Sequence, residues 1–364
     1  MNVPKLRFKE FNDEYARLKY KDVLKIKSGK DQKQIEDENG KYPILGTGGQ
    51  IGKTNSFLYD KPSVLIGRKG TINKPQYMES PFWTVDTLFY SHIYEPNIPK
   101  YLFYSFQNVN WKKYDESTGV PSLSSSTIES VECSIPSPNE QIKIANFLSL
   151  LDRKIELQTK KIEDLKLFKK GLIEFEFSNS NYNEINLKKI LKERKTYSEK
   201  GLEFPHVTLS KDGIYDKTDR YNRDFLVKSD DKKYKITYLN DLCYNPANLK
   251  FGVICLNEYG SAIFSPIYVT FVIKNIANPK YIKYYVTRNN FINAIRKYEQ
   301  GTVYERMAVA PEDFLKFSIK LPNIEIQNKF VAKLLKLDKK IELENLKLSK
   351  YIKFKKGLMQ NMFV

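Results

Sequence analysis

The sequence predicts an α+β protein built twice over: a globular block of short strands and helices, a long helix, then a second block and a second long helix. Three observations lead there. One segment is duplicated, both copies carry the same heptad stripe, and the stretch before each copy holds β-rich runs broken by turn residues.

Residues 138–177 read PNEQIKIANFLSLLDRKIELQTKKIEDLKLFKKGLIEFEF, and residues 322–363 read PNIEIQNKFVAKLLKLDKKIELENLKLSKYIKFKKGLMQNMF. From Gln141 and Gln327 onward they align without a gap at a constant offset of 186. Leu151, Asp152, Lys154, Ile155, Glu156 and Leu157 match Leu337, Asp338, Lys340, Ile341, Glu342 and Leu343. Phe168–Leu172 matches Phe354–Leu358 residue for residue.

Steps of three and four pick out Leu148, Leu151, Ile155, Gln158, Ile162, Leu165, Lys169 and Leu172 in the first copy. They pick out Leu334, Leu337, Ile341, Glu344, Leu348, Tyr351, Lys355 and Leu358 in the second. Apolar residues fill six of eight positions in each, with polar breaks at the same two places. A seam this narrow, with Lys, Glu, Asp and Gln on the other faces, predicts two helices paired as a coiled coil. The bland alternative is a helix packed on its own domain. Each stripe spans roughly 37 Å at 1.5 Å per residue, close to one turn of duplex DNA at about 34–36 Å.

The expected boundaries are therefore 1–137, 138–178, 179–321 and 322–364. The two blocks differ more than the helices do, yet Leu18–Leu24 recurs loosely as Ile185–Leu191. PSVLIGRKG, FWTVDTLFYSHIY, DLCYNPANLKFGVICL and IYVTFVIK read as strands with turns. Helices are expected at 99–109 and 279–298.

Composition narrows the function. The 364 residues are 41% hydrophobic and 29% charged, enough for real cores. Lys+Arg 61 against Asp+Glu 43 gives +18, which makes nucleic acid the first partner to consider. A Lys-, Asn-, Ile- and Tyr-rich composition of the AT-rich kind would also raise this charge. Three scattered cysteines (Cys133, Cys243, Cys255) and two histidines (His92, His206) give no CxxC and no HExxH, so no zinc site is expected. No apolar run reaches 18 residues and the N-terminus lacks a signal-peptide core, so a cytoplasmic protein with no membrane contact is expected.

Catalytic motifs fail on inspection. Gly46–Thr54 miscounts as a P-loop, with five residues between Gly46 and Gly52 where four are needed, and reads instead as a glycine-rich turn. Asn245-Pro246-Ala247-Asn248 resembles an amino-methyltransferase segment but lacks the second proline and the aromatic. Pro311–Lys316 has a nuclease's letters without its spacing. No triad logic surrounds either histidine. Recognition chemistry survives: Gly49 and Gln50 in the glycine-rich turn, then Arg68, Lys69, Thr71 and Lys74, then Lys113 and Thr118. In the second block it is Arg220, Tyr221 and Arg223, then Asn245, Asn248 and Lys250, then Tyr304 and Arg306. Arginine suits guanine, Asn or Gln suits adenine, and Lys, Ser and Thr suit phosphates.

With these features read out, the chain resembles the specificity subunit of Type I restriction-modification enzymes. Pro138–Leu172 and Pro322–Leu358 carry the resemblance most specifically, with Val3–Phe8, Leu65–Gly70 and Tyr244-Asn245 beside them. The second copy departs slightly, with PNIEIQ for PNEQ and Phe330 where Ile144 stands. The resemblance implies two target-recognition domains on an antiparallel helix pair with pseudo-two-fold symmetry, reading an asymmetric bipartite duplex DNA site. It implies no catalysis and no cofactor in this chain. S-adenosylmethionine, ATP and Mg belong to its partners: two modification (methyltransferase) subunits and the restriction/translocase subunits. A coiled-coil scaffold whose basic domains bind RNA or an acidic protein is the alternative, and sequence preference on duplex DNA separates the two.

Overall fold

The computed structural model describes residues 2–178, 181–198, 204–217, 233–300 and 307–364. They fall into two compact units, Met1–Lys161 with Glu344–Val364, and Ile162–Leu343. Each long helix is therefore divided near its midpoint between the units, rather than separated from its block.

The first unit begins with β1 (Ala16–Lys19), α1 (Tyr20–Val23), β2 (Leu24–Lys27), β3 (Tyr42–Gly46) and β4 (Gly49–Thr54). Next come β5 (Ser63–Gly67), β6 (Gln76–Met78), β7 (Trp83–Thr84) and β8 (Leu88–Ile93). It closes with α2 (Pro99–Asn108), α3 (Ser125–Ser130), β9 (Glu132–Ile135) and the start of α4 (Pro138–Ser178). The main sheet runs β2-β8-β5-β6 and is antiparallel throughout. All five residues of β5 are buried, which is why SVLIG reads as an unbroken small and apolar run rather than an alternation.

In the second unit β10 (Glu184–Asn186), α5 (Leu187–Ile190), β11 (Leu191–Glu193) and β12 (Tyr197–Ser198) lead to the hairpin β13 (Val207–Ser210) and β14 (Gly213–Asp216). Then follow β15 (Tyr234–Thr237), β16 (Leu242–Tyr244), β17 (Ile254–Leu256), β18 (Ala262–Phe264) and β19 (Val269–Ile273). Helices α6 (Pro279–Val286), α7 (Asn289–Ile295) and α8 (Pro311–Lys316), strand β20 (Ser318–Lys320) and α9 (Ile324–Met362) complete it. Its main sheet, β11-β19-β16-β17, repeats the order of the first. The echo of Leu18–Leu24 in Ile185–Leu191 is the same strand–turn of helix–strand entry in both units. Duplication thus reaches into the blocks.

One expected element is corrected. Residues 279–298 do not form a single helix: α6 ends at Val286 and α7 restarts at Asn289. Arg288 between them is extended, at φ −72° and ψ 144°. This turns its guanidinium over the rings of Phe177 and Tyr285, 4.5 Å from each centroid. Packing a planar cation between two aromatic faces outweighs one more turn of helix.

Both cores are closed by both long helices. In the first unit Tyr20, Tyr101, Phe106 and Trp111 pack with Ile144 and Leu148 of α4 and with Leu358, Met359 and Phe363 from the chain's end. In the second, Tyr244, Phe271, Tyr281 and Phe314 pack with Phe330 and Leu334 of α9 and with Leu172 and Phe177 of α4. Phe363 stacks on Tyr101 with centroids 5.3 Å apart, and Phe177 meets Tyr281 edge-on at 5.0 Å. Phe177 and Phe363 are the same position of the repeat.

Buried glutamines fasten each helix start to its block. Gln141 accepts from the Ile98 N–H at 2.8 Å and donates to the Pro136 carbonyl at 3.0 Å. Gln327 accepts from the Asn278 N–H at 2.8 Å and donates to the Pro322 carbonyl at 2.8 Å. Ile98 and Asn278 are the residues preceding α2 and α6, so each glutamine satisfies a backbone donor that a helix start leaves exposed.

The sixteen heptad positions are all buried or half-buried. Their outermost members are corrected in role: Leu148 and Leu358 lie in the first core, Leu334 and Leu172 at the second. They serve the domains because each helix end overlies a block, so the stripe is only partly a two-helix seam. Its polar breaks are partnered. Lys355 donates to Asp152, which also accepts from the Tyr104 hydroxyl at 2.7 Å. Lys169 donates to Asp338, which accepts from Tyr284 at 3.2 Å. These are one contact made twice, with the helices' roles exchanged. Within the first unit, pairing runs from Asp152–Lys355 to Gln158–Glu344, so the helices are antiparallel.

Gln158 Nε2 donates to Glu344 Oε2 at 2.7 Å, and Lys161 and Lys347 both donate to Oε1. The Gln158 amide, followed by Lys161, holds the Glu344 carboxyl down at about 2, against an ordinary 4.5. A depressed carboxyl stabilises the fold above its unfolded pKa and loses that contribution as pH falls through its folded one. The stability gap between wild type and Glu344→Gln is therefore expected to be full above about pH 4.5 and to close toward pH 2, read by urea unfolding at each pH. Gln141→Leu strands a buried N–H and carbonyl and is expected to cost about 2 kcal/mol in the same assay.

Candidate nucleic-acid interface

In the first unit three connections meet at one end of the sheets. The β3–β4 turn (Thr47, Gly48) is held by Gln76, whose Nε2 donates to the Gly46 carbonyl at 2.9 Å. Gly46–Thr54 is thus a strand hairpin, with no helix to complete a P-loop. Gly49 adopts φ +116°, as the tight turn requires. The β5–β6 connection carries Arg68–Lys74. Its backbone is pinned on both sides, with Arg68 N–H donating to Thr87 O at 2.8 Å and Arg68 O accepting from Leu123 N–H at 2.9 Å. Gly70 N–H donates to Pro121 O at 2.8 Å, which binds this connection to the 115–122 loop. A side chain at Gly67 would lie 2.5 Å from the Thr71 carbonyl, so only glycine fits.

The 115–122 loop is organised by Asp115, which accepts from Ser117 N–H, Ser117 Oγ and Ser122 N–H at 2.8–3.0 Å. These bonds, Ser122's first, hold its carboxyl below the usual range. Arg68, Lys69, Lys74, Lys113, Thr118 and Gln50 are exposed, while Thr71 and Gly49 are half-buried. The backbone is fixed and the cationic side chains remain free, which suits hydrogen bonding to base edges and phosphates. Thr47 and Asn73, beside them, carry no composition signal and are visible only in the fold.

The equivalent β16–β17 connection in the second unit holds Asn245, Asn248 and Lys250. Asn245 is buried, and its Oδ1 caps the turn Pro246–Phe251 by accepting from Ala247 and Asn248 N–H at 3.1 and 3.3 Å. Its acceptor is committed to the fold. Asn248 and Lys250 are half-buried, the latter's Nζ 5.3 Å above the Phe251 ring. Phe251 is 64% exposed and went unread in the sequence, where it passes for a strand residue. Arg220, Tyr221, Arg223, Tyr304 and Arg306 lie outside the described residues. Among the described residues no His, Cys, Asp and Glu group could hold a metal, and no helix is long and apolar enough to cross a membrane.

Residues 12–167 match the family model for the Type I restriction modification DNA specificity domain. The chain is similar to the Type I restriction enzyme EcoDI specificity subunit of Escherichia coli, at 25% identity over 42% of this chain and 36% of that protein. It is similar to the MjaIX specificity subunit of Methanocaldococcus jannaschii, at 34% identity over 34% of this chain and 31% of that protein. The alignments thus span about a third of these relatives. In fold it resembles the Type I restriction-modification S subunit from M. genitalium, with a TM-score of 0.61, 16% identity, and coverage of 100% of this chain and 99% of that one. A chain from a structure on complex assembly and conformational transition of the Type I system gives 0.57 at 10% identity, covering 95% and 96%. Residues 12–167 thus match the Type I restriction modification DNA specificity domain, and along its whole length the chain is similar in fold to a Type I S subunit.

Proposed function

We propose that the protein is the non-catalytic DNA reader of a Type I restriction-modification complex. Each unit reads one half of an asymmetric bipartite duplex site, and the helix pair sets the unread spacer. The observation that carries this reading is the repeated sheet order with a polar connection at the same place in each unit, Arg68–Lys74 in one and Asn245–Lys250 in the other. Different side chains on equivalent connections would read different half-sites. Adenine methylation, with its base flipping, and ATP-driven translocation would be the partners' chemistry.

The long helices offer the partners matching surfaces. Leu157 and Leu343 are 58% and 50% exposed, Phe168 and Phe354 59% and 55%. Each pair is the same residue at the same position of the repeat. Apolar side chains left in solvent at both copies support two modification subunits docked in the same way.

Co-expression with the modification subunit in a methylation-free host, followed by a map of methylated adenines, tests the reader role. One bipartite motif with a fixed gap is expected. Exchange of block 179–321 for a homologue's should then change one half of that motif and leave the other. Absence of any motif, despite a stable complex and an active methyltransferase, would favour the scaffold. Phe168→Asp with Phe354→Asp should weaken capture of the modification subunit at least tenfold while leaving the melting temperature within a few degrees, measured by co-purification and calorimetry.

A further inference from the structure

A basic groove occurs at the same place in both units. In the first it has a volume of about 480 Å³ and is lined by Lys355 and Lys356 of α9, Gln107 and Asn108 at the end of α2, and Asn73 and Lys74 of the β5–β6 connection. In the second it has a volume of about 290 Å³ and is lined by Lys166, Lys169 and Lys170 of α4 and by Tyr284, Thr287 and Arg288 at the end of α6. Lys355 and Lys356 are Lys169 and Lys170 in the other copy of the repeat, and Gln107 and Asn108 correspond to Thr287 and Arg288.

The two lysines of each pair divide the work. Lys355 and Lys169 are turned to Asp152 and Asp338 and belong to the framework. Their neighbours Lys356 and Lys170 are exposed on the groove wall. Among the described residues no carboxylate lines the first groove, and Glu174, 3.8 Å from Arg288 Nη1, is the one that lines the second. Lysines with side-chain amides or a hydroxyl, and a cationic excess, make the chemistry that holds phosphodiesters. The first groove also shares a wall with the connection that carries Arg68, so a strand lying on that connection would continue into it.

We propose that these grooves hold the DNA backbone beside each half-site, with Lys356 and Lys170 as positioning residues that add affinity without sequence preference. This rests on the DNA-reading proposal above. Full-length protein in complex with its modification subunit should be titrated with a fluorescent duplex carrying the mapped target, and with a scrambled duplex, across a range of salt. Lys356→Gln and Lys170→Gln should each weaken both duplexes by about fivefold near 0.15 M salt and flatten the slope of log K against log salt by about 0.9. Lys356→Arg should keep the wild-type slope, and Lys350→Gln, outside both grooves, should change neither quantity. The methylated motif should stay the same.

An unchanged salt slope in Lys356→Gln and Lys170→Gln, with Arg68→Ala still relaxing one half-site, would overturn the groove proposal and leave the reader standing. Loss of the modification subunit at unchanged duplex affinity would also overturn it, assigning the grooves to an acidic protein segment. Equal binding of target and scrambled duplex by the wild type would remove the reading beneath it.

Discussion

The contact on which the frame depends is a lysine set into a helix seam: Lys355 on Asp152 in one unit, Lys169 on Asp338 in the other. A largely buried cation is costly unless paired, and each of these has a carboxylate and the face of a tyrosine ring, Tyr104 or Tyr284, about 5 Å away. Sliding either helix by one turn would leave the lysine without its partner. Register is thereby fixed, and with it the placement of Phe363 on Tyr101 and of Phe177 on Tyr281. Each domain core is completed by the far end of the other repeat's helix, so the cores and the helix pair stand or fall together.

What the sequence disclosed follows from how local each signal is. The long helices were legible because each heptad stripe lies within forty residues and recurs in a copy at a constant offset of 186. Strand locations were legible as apolar and β-branched runs, but the sheet order depends on contacts distant in sequence and left no mark. Exchange of helix ends was invisible, since Phe177 and Phe363 look like ordinary terminal residues until their partners are known. The break at Arg288 left no mark because it answers to Phe177, far along the chain, whereas the cap made by Asn245 is local, to Ala247 and Asn248.

The polar loops of the first unit show the same division. Gly67–Thr71 announces itself, with glycines and cations between apolar strands. Its union with the 46–50 turn and the 115–122 loop does not, because it rests on main-chain bonds such as Gly70 to Pro121. Those bonds also separate two duties within one residue. The Arg68 backbone is consumed by the fold while its side chain is free, so side chains here can be replaced without disturbing the scaffold beneath.

Gln158 and Glu344 occupy the same position of the repeat and bond to each other, so the duplicated segment meets its own copy there. Once the copies were identical, this point must have held two like residues face to face. Two glutamates would set carboxylate against carboxylate; two glutamines would leave Lys161 and Lys347 with no anion between them. One of each satisfies all four groups. The helices are therefore matched as an unlike couple, each the preferred mate of the other rather than of itself, through a chemical preference written at a single position.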